Sequence, residues 1–246
     1  MPPPPMFEAR LVHARRLSPN VRELAFERVD GSPMVFEPGQ WVNVLLPNEL
    51  AAAGATKRSY SIASPPDVSA RFDIAVTRVQ GGPASTWLHT VEPQAVLTFT
   101  GPQGFFTRLP EGAPPSLMIA TGTGMTPMRS MMRAAVAKEA RAPMWLLLGV
   151  RHENDLLYGD ELRALAAEHP FIGFEPTLSQ PAGDWQGRRG YVQAHVRELW
   201  EKLVAASGSR PHAYVCGLER MVGSVRDLLR KEIGLPREQV HTERYD

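Results

Sequence analysis

The hydrophobic residues change their spacing near the middle of the chain, and that change constrains the fold more than any other feature. Between residues 71 and 79, Phe72, Ile74 and Val76 interleave with Asp73 and Thr77, the period of two that gives a strand one buried and one wet face. Val42, Val44 and Leu46 repeat that spacing, and 96–100 is another β-rich run. Pro and Gly clusters at 37–39, 48–54, 81–83 and 101–102 punctuate these segments, as turns do in a multi-stranded antiparallel sheet. A closed barrel is expected rather than a sandwich. From about residue 114 the grammar differs. Apolar runs at 117–120 and 145–150 flank Met128, Met131, Met132, Ala135 and Val136, which fall at i, i+3, i+4, i+7 and i+8 on one face of a helix. Runs at 172–178 and 213–216 supply further strands, and Val196, Leu199 and Leu203, then Met221, Val222, Val225, Leu228 and Leu229, mark two more amphipathic helices. Alternating strands and helices imply a doubly wound parallel sheet covered on both faces. The Pro- and Gly-rich stretch LPEGAPP at 109–115 separates the two grammars, so the expected division is 1–110 for the β-barrel domain and 111–246 for the α/β domain.

At 246 residues the chain has length for two such cores. Lys and Arg number 27 against 26 Asp and Glu, a net charge of +1, which lacks the basic field of a nucleic-acid binder. The longest apolar run is 144–150 and the start MPPPPMFEAR has neither a basic leader nor an apolar core, so no membrane span or secretory segment is expected and the protein reads as a cytoplasmic monomer. The low-complexity run Pro2 to Pro5 reads as a loose end. Cys216 is the only cysteine. It can form no internal disulfide and cannot supply the four thiolates that hold an iron-sulfur cluster, so any such centre belongs to another protein. The seven histidines lack zinc-motif spacings, and no Gly-x-Ser-x-Gly elbow of a serine hydrolase is present.

Two segments carry chemistry. Thr121, Gly122, Thr123, Gly124, Met125, Thr126 and Pro127 follow an apolar strand and open the Met-striped helix, with Pro127 suited to a first helical turn. Such a turn often serves only to reverse the chain. In this order of strand, glycines and helix it also offers unpaired N–H groups and a positive dipole end to a pyrophosphate. In KRSYSIAS at 57–64, Arg58 can pair with a phosphate, Tyr60 offers a face to a planar ring and Ser61 can donate a hydrogen bond. Alone, that segment fits a barrel strand with one solvated arginine equally well.

It does not stand alone. FEPGQWV at 36–42, RSYSIAS at 58–64, GGPASTWL at 81–88, GPQGFF at 101–106, TGTGMTP at 121–127, YVCGLERMV at 214–222 and the terminal ERY occur in one order, and that order resembles the ferredoxin-NADP reductase superfamily over nearly the whole chain. The resemblance implies an FAD-binding antiparallel barrel followed by an α/β domain that takes hydride from NADPH or NADH. By position, Arg58 would bind the FAD pyrophosphate with help from Ser59, Tyr60 would lie against the flavin ring, and Ser61 would sit near N5. Gly81, Gly82, Pro83, Ala84 and Ser85 would open a short helix toward the same pyrophosphate. Residues 121–127 would bind the nicotinamide nucleotide, and Cys216 and Gly217, with Met221 beyond, would line the nicotinamide pocket, Cys216 as a wall rather than a nucleophile. Glu243 and Tyr245, otherwise a solvated tail, would return to the flavin, where Tyr245 could cover the ring.

The implied reaction passes hydride to FAD and then electrons to a separate acceptor protein, ferredoxin or flavodoxin first. A flavin reductase, or a nucleotide-binding electron-transfer subunit of a larger complex such as an oxygenase, is the alternative. NADPH is expected over NADH, because Ser179 and Arg188 occupy a region where NADP-using relatives carry a serine and basic residues. Gln180 and Asp184 depart from that pattern.

Overall fold

A computed structural model describes residues 3–51 and 56–245. The amino-terminal part contains β1 (Met6–Ser18), β2 (Val21–Arg28), β3 (Trp41–Leu45), the single turn α1 (Asn48–Ala51), β4 (Lys57–Ser61), β5 (Arg71–Thr77), the short helix α2 (Pro83–Leu88) and β6 (Val96–Gln103). All pairings are antiparallel, in the order β4-β3-β6-β1-β2-β5. The sheet closes on itself just past β4. Ile62 bridges Ile74 of β5, and the Ala63 N–H donates to the Asp73 carbonyl at 2.8 Å. Closure removes both sheet edges and encloses Phe7, Phe26, Phe72 and Phe99, whose rings pack edge-to-face and offset. The alternation at 71–79 is realised: Phe72, Ile74 and Val76 are fully buried while Thr77 is exposed.

One punctuation mark was misread. Gly101-Pro102 does not end a strand, because β6 runs through it to Gln103, and a bulge opposite Trp41 to Asn43 in β3 absorbs the irregularity. The expected turn cluster at 48–54 and the Pro2 to Pro5 run fall partly outside the described residues.

The second part contains β7 (Ser116–Thr121), α3 (Thr126–Ala137), β8 (Met144–Val150), α4 (Gly159–Glu168), β9 (Ile172–Leu178), the two-residue β10 (Arg188–Arg189), α5 (Gln193–Ser207), β11 (His212–Leu218), α6 (Glu219–Asp227) and β12 (Val240–Tyr245). They form one parallel sheet, β10-β9-β8-β7-β11-β12. Its two faces are covered separately. The Met128, Met131 and Met132 stripe of α3 is buried on one face, and Val196, Leu199, Leu203, Val222 and Val225 of α5 and α6 pack on the other. Between the sheets, the buried Arg108 guanidinium holds Ser116 Oγ at 2.8 Å and the Pro114 carbonyl at 3.0 Å, which pins the Pro-rich connection to the start of β7.

Candidate functional site

The C-terminal segment is not a solvated tail. It forms β12, parallel to β11, with Cys216 opposite Glu243 and Leu218 opposite Tyr245. Its short, charged sequence hides it, since a strand at the margin of a parallel sheet needs little apolar periodicity of its own. The consequence is a hydrogen-bonded chain linking the two sheets. Tyr245 Oη donates to Ser61 Oγ at 2.5 Å, Ser61 Oγ donates to Glu243 Oε1 at 3.1 Å, and the Thr126 hydroxyl lies 3.4 Å from Tyr245 Oη. Ser61, Glu243, Tyr245 and Thr126 therefore converge from the barrel, the edge strand and the start of α3. Thr77 and Thr123, 3.2 Å apart through their hydroxyls, add a second polar contact across the same seam.

Burial sets the protonation here. It pushes the Glu243 carboxyl up to about 7, against a smaller opposing effect of the Ser61 hydroxyl, and it pushes the Cys216 thiol and the Tyr245 phenol well above their usual ranges. Cys216 is completely buried and stays a neutral thiol, which suits a wall and not a nucleophile. Glu243 also lines a cleft of about 630 Å³ with Trp41, Gln103, Phe105 and His241, so its carboxyl can exchange protons with solvent. Because the folded state raises this carboxyl, the fold favours the neutral acid. That stability is whole below the ordinary value of 4.5 and is lost as pH rises through about 7. Glu243→Gln is therefore expected to melt at a higher temperature than wild type at about pH 8.5, with the difference vanishing near about pH 5. Parallel melting curves at both pH values would refute the shifted carboxyl.

The glycine-rich turn divides its labour. Residues Gly122–Met125 form a 3-10 turn, an element between strand and helix that the sequence reading did not separate, and α3 follows with Pro127 in its first turn. Gly122, at φ +53, faces open space. Gly124 instead packs on the chain itself: a Cβ there would stand 2.3 Å from the Cys216 carbonyl oxygen. Gly217, at φ +144, lies so close to Thr121 that a Cβ would meet Thr121 Oγ1 at 2.3 Å, and that buried hydroxyl has no partner. Met125 and Met221 are both buried, and the Met221 Cε lies beside Gly217, 3.0 Å from where a Cβ would stand. An orphaned buried hydroxyl beside two side-chain-free backbone positions fits a bound polar group such as a nicotinamide nucleotide.

On the barrel, Ser59 Oγ donates to Asn43 Oδ1 at 2.9 Å, which fixes the orientation of this side chain. Tyr60 is partly buried against the barrel core, and that burial pushes its phenol up to about 12. Arg58 is exposed, and among the described residues its guanidinium hydrogen-bonds only the Lys57 carbonyl, at 2.9 Å. Gly81, at φ +72, and Gly82 turn the chain into α2, whose first residue is Pro83. The Ser85 hydroxyl is spent inside this turn, accepting from the Val79 N–H and donating to the Gly82 carbonyl, both at 3.0 Å. The first i to i−4 bond is Thr86 N–H to Gly82, and among the described residues the Ala84 and Ser85 N–H groups at the helix start have no partner. An unpaired guanidinium and free helical N–H groups are the donor set that a diphosphate such as that of FAD requires.

The two residues expected to select the coenzyme, Ser179 and Arg188, sit in different surroundings. Arg188 is clamped, donating to Glu175 at 2.8 Å and fork-on to Glu198 at 2.7 and 3.0 Å, so two carboxylates already neutralise it. Arg151, which the sequence reading passed over, is exposed at the end of β8, and among the described residues no carboxylate pairs with it. Its carbonyl accepts the Gln180 N–H at 2.9 Å, next to Ser179, whose own N–H bonds Val150 at 3.0 Å. The histidines His212 and His241, far apart in sequence, meet at 2.9 Å on β11 and β12. Among the described residues no three metal-ligating side chains cluster, and no helix is long and apolar enough to cross a membrane.

Comparison with known proteins adds to this geometry. Residues 8–107 match the oxidoreductase FAD-binding domain family and residues 118–227 the oxidoreductase NAD-binding domain family. Ferredoxin-NADP reductase B of Sorangium cellulosum is 57% identical over 241 residues, which cover 98% of each chain. The toluate 1,2-dioxygenase electron transfer component of Pseudomonas putida is 26% identical over 92% of this chain, which spans 64% of that longer protein. A ferredoxin NADP+ reductase from Neisseria gonorrhoeae, solved with bound FAD and NADP, superposes with a TM-score of 0.80 over 97% of this chain and 98% of its own, at 18% identity that speaks to the fold alone.

Proposed function

The chain belongs to the ferredoxin-NADP reductase superfamily, and from that premise we propose that it is an FAD-dependent oxidoreductase that takes hydride from NADPH and passes electrons to ferredoxin or flavodoxin. The observation that carries this reading is the hydrogen-bonded set of Ser61, Glu243, Tyr245 and Thr126, which joins the barrel strand to the nucleotide-type turn. Bound FAD would supply the hydride-accepting and electron-relaying chemistry, and the protein supplies position and electrostatics. Arg58, with the Ala84 and Ser85 N–H groups, holds the diphosphate. Tyr60 packs against the ring system, and Gly122 to Pro127 take the coenzyme phosphates. Cys216, Gly217 and Met221 wall the nicotinamide pocket. Ser61 accepts from Tyr245 and donates to Glu243, and the raised Glu243 carboxyl reduces the negative charge near the reacting face below about pH 7. Tyr245 covers that face until the nicotinamide displaces it. The division at 110/111, a monomeric state and a cytoplasmic location belong to the same proposal.

For the 2′-phosphate that distinguishes NADPH, the unpaired Arg151 beside Ser179 is a better partner than Arg188, because a guanidinium held by two carboxylates must abandon both to serve a phosphate. Steady-state reduction of ferredoxin and flavodoxin with NADPH and with NADH tests the whole reading. Arg151→Ala is expected to lower NADPH efficiency by about tenfold or more while sparing NADH, and Arg188→Ala to leave the ratio unchanged. Equal efficiencies with the two coenzymes in wild type would defeat the NADPH preference. An unchanged ratio in Arg151→Ala would defeat the residue assignment, and no reduction of either acceptor protein would defeat the function.

A further inference from the structure

We propose that Arg129 is a positioning residue that keeps Ser61 in register with the nucleotide turn during the part of the cycle when Tyr245 is displaced. This rests on the hydride-transfer reading above. Arg129 lies on α3, three residues after Thr126, and is only 4% exposed. Its planar fork bonds both Glu161 oxygens of α4, each at 2.8 Å, and its third nitrogen donates to the Ala63 carbonyl of the barrel at 2.8 Å, with Asp73 of β5 at 3.9 Å. The guanidinium also lies over the Tyr158 ring, 4.2 Å from its centroid.

The backbone it grips is rigid on the other side. The Ala63 N–H is held by the Asp73 carbonyl at 2.8 Å, the Asp73 N–H by Ser64 Oγ at 3.0 Å, and Ile62 bridges Ile74. Ala63 is two residues past Ser61, so two legs a few residues apart tie this stretch of the barrel to α3, and the Thr77–Thr123 contact crosses the seam separately from β5. One runs Ser61, Tyr245, Thr126 and must open whenever Tyr245 yields its place. The other runs Ala63 to Arg129 and involves no group that has to move. With that leg open, the Arg129 contact is the tie that still joins the Ser61–Ala63 stretch itself to α3, and it keeps the Ser61 hydroxyl in register with Gly122 to Thr126. A lysine keeps the charge but cannot span the Glu161 fork and the Ala63 carbonyl together.

The test uses FAD-loaded wild type, Arg129→Lys and Arg129→Met, each also combined with Tyr245→Ala. Arg129→Lys is the variant expected to retain its fold. Hydride transfer in stopped flow should slow about tenfold in Arg129→Lys, and by about a hundredfold relative to Tyr245→Ala once both legs are absent. NADP+ affinity by calorimetry should stay within about twofold. The Ala63 amide should exchange hydrogen faster in both Arg129 variants. A merely structural role predicts parallel losses of FAD, NADP+ affinity and rate, with the same loss in both Tyr245 backgrounds, and that pattern overturns the proposal. So does an unchanged hydride-transfer rate. Wild type that no nicotinamide coenzyme reduces would refute the functional reading instead, and unchanged Ala63 exchange in the variants would then refute the tether as well.

Discussion

Gly124→Ala is expected to be among the most damaging single-methyl changes in this chain. The added Cβ would stand 2.3 Å from the Cys216 carbonyl oxygen, 2.6 Å from its carbon and 2.8 Å from the Gly217 Cα. All three are backbone atoms of β11, so no side chain can swing aside, and relief requires the 3-10 turn and β11 to part. That movement drags Thr121, Thr126 and the Tyr245 contact with it. Overpacking of this kind costs about 1–3 kcal/mol, and a clash with rigid backbone belongs at the upper end. Gly122→Ala is the internal control. It lies two residues away at φ +53 with nothing within 4 Å, so its cost is the backbone penalty alone, about 1 kcal/mol. Urea denaturation of both variants, with flavin reduction by NADPH measured alongside, should show Gly124→Ala the less stable and by far the slower. Equal stabilities and rates would mean that the turn does not need to sit against Cys216.

The contrast between these two glycines also shows what the sequence could and could not reveal. Period-two spacing at 71–79 and the Met stripe of α3 were readable because a strand face or helix face is a local pattern, and each is buried as its spacing demands. The glycine-rich turn was readable as a turn, but which glycine serves a ligand and which serves packing depends on β11, some ninety residues later. β12 escaped for a related reason: HTERY has no apolar alternation, and it becomes a strand because β11 offers an unpaired edge. Charge partners are the least legible. Arg188 looked available and is clamped by Glu175 and Glu198, Arg151 has no carboxylate partner among the described residues, and Arg129 is buried although it lies off the Met stripe, where an exposed residue would be expected. Sequence spacing identifies a cation, and only tertiary structure identifies its carboxylate.

Arg58→Ala is expected to release FAD without weakening the fold. Arg58 stands exposed on β4, opposite Val44 of β3, and among the described residues its guanidinium hydrogen-bonds nothing but the Lys57 carbonyl. Arg28 pairs with Asp30, Arg71 with Glu27 and Arg15 with Glu23, whereas Arg58, like Arg16, Lys57 and Arg78, has no carboxylate partner among the described residues and can turn to an outside anion at no cost in ion pairs. Because no internal partner is lost, apoprotein stability should change by less than about 0.5 kcal/mol. FAD binding should lose one charge-assisted phosphate contact, about 1.5–3 kcal/mol, which corresponds to roughly a 10- to 150-fold rise in Kd. Arg58→Lys should fall between, since a single ammonium cannot present two parallel donors to one phosphate. Variant enzyme kept fully loaded by excess FAD should reduce within about threefold of the wild-type rate, because the contact is made equally before and during hydride transfer. Riboflavin, which has the ring and no phosphate, separates this assignment from a general loosening of the site. Fluorescence titrations should give wild type and Arg58→Ala the same riboflavin affinity, and a loss as large as that for FAD would move Arg58 from the phosphates to the ring.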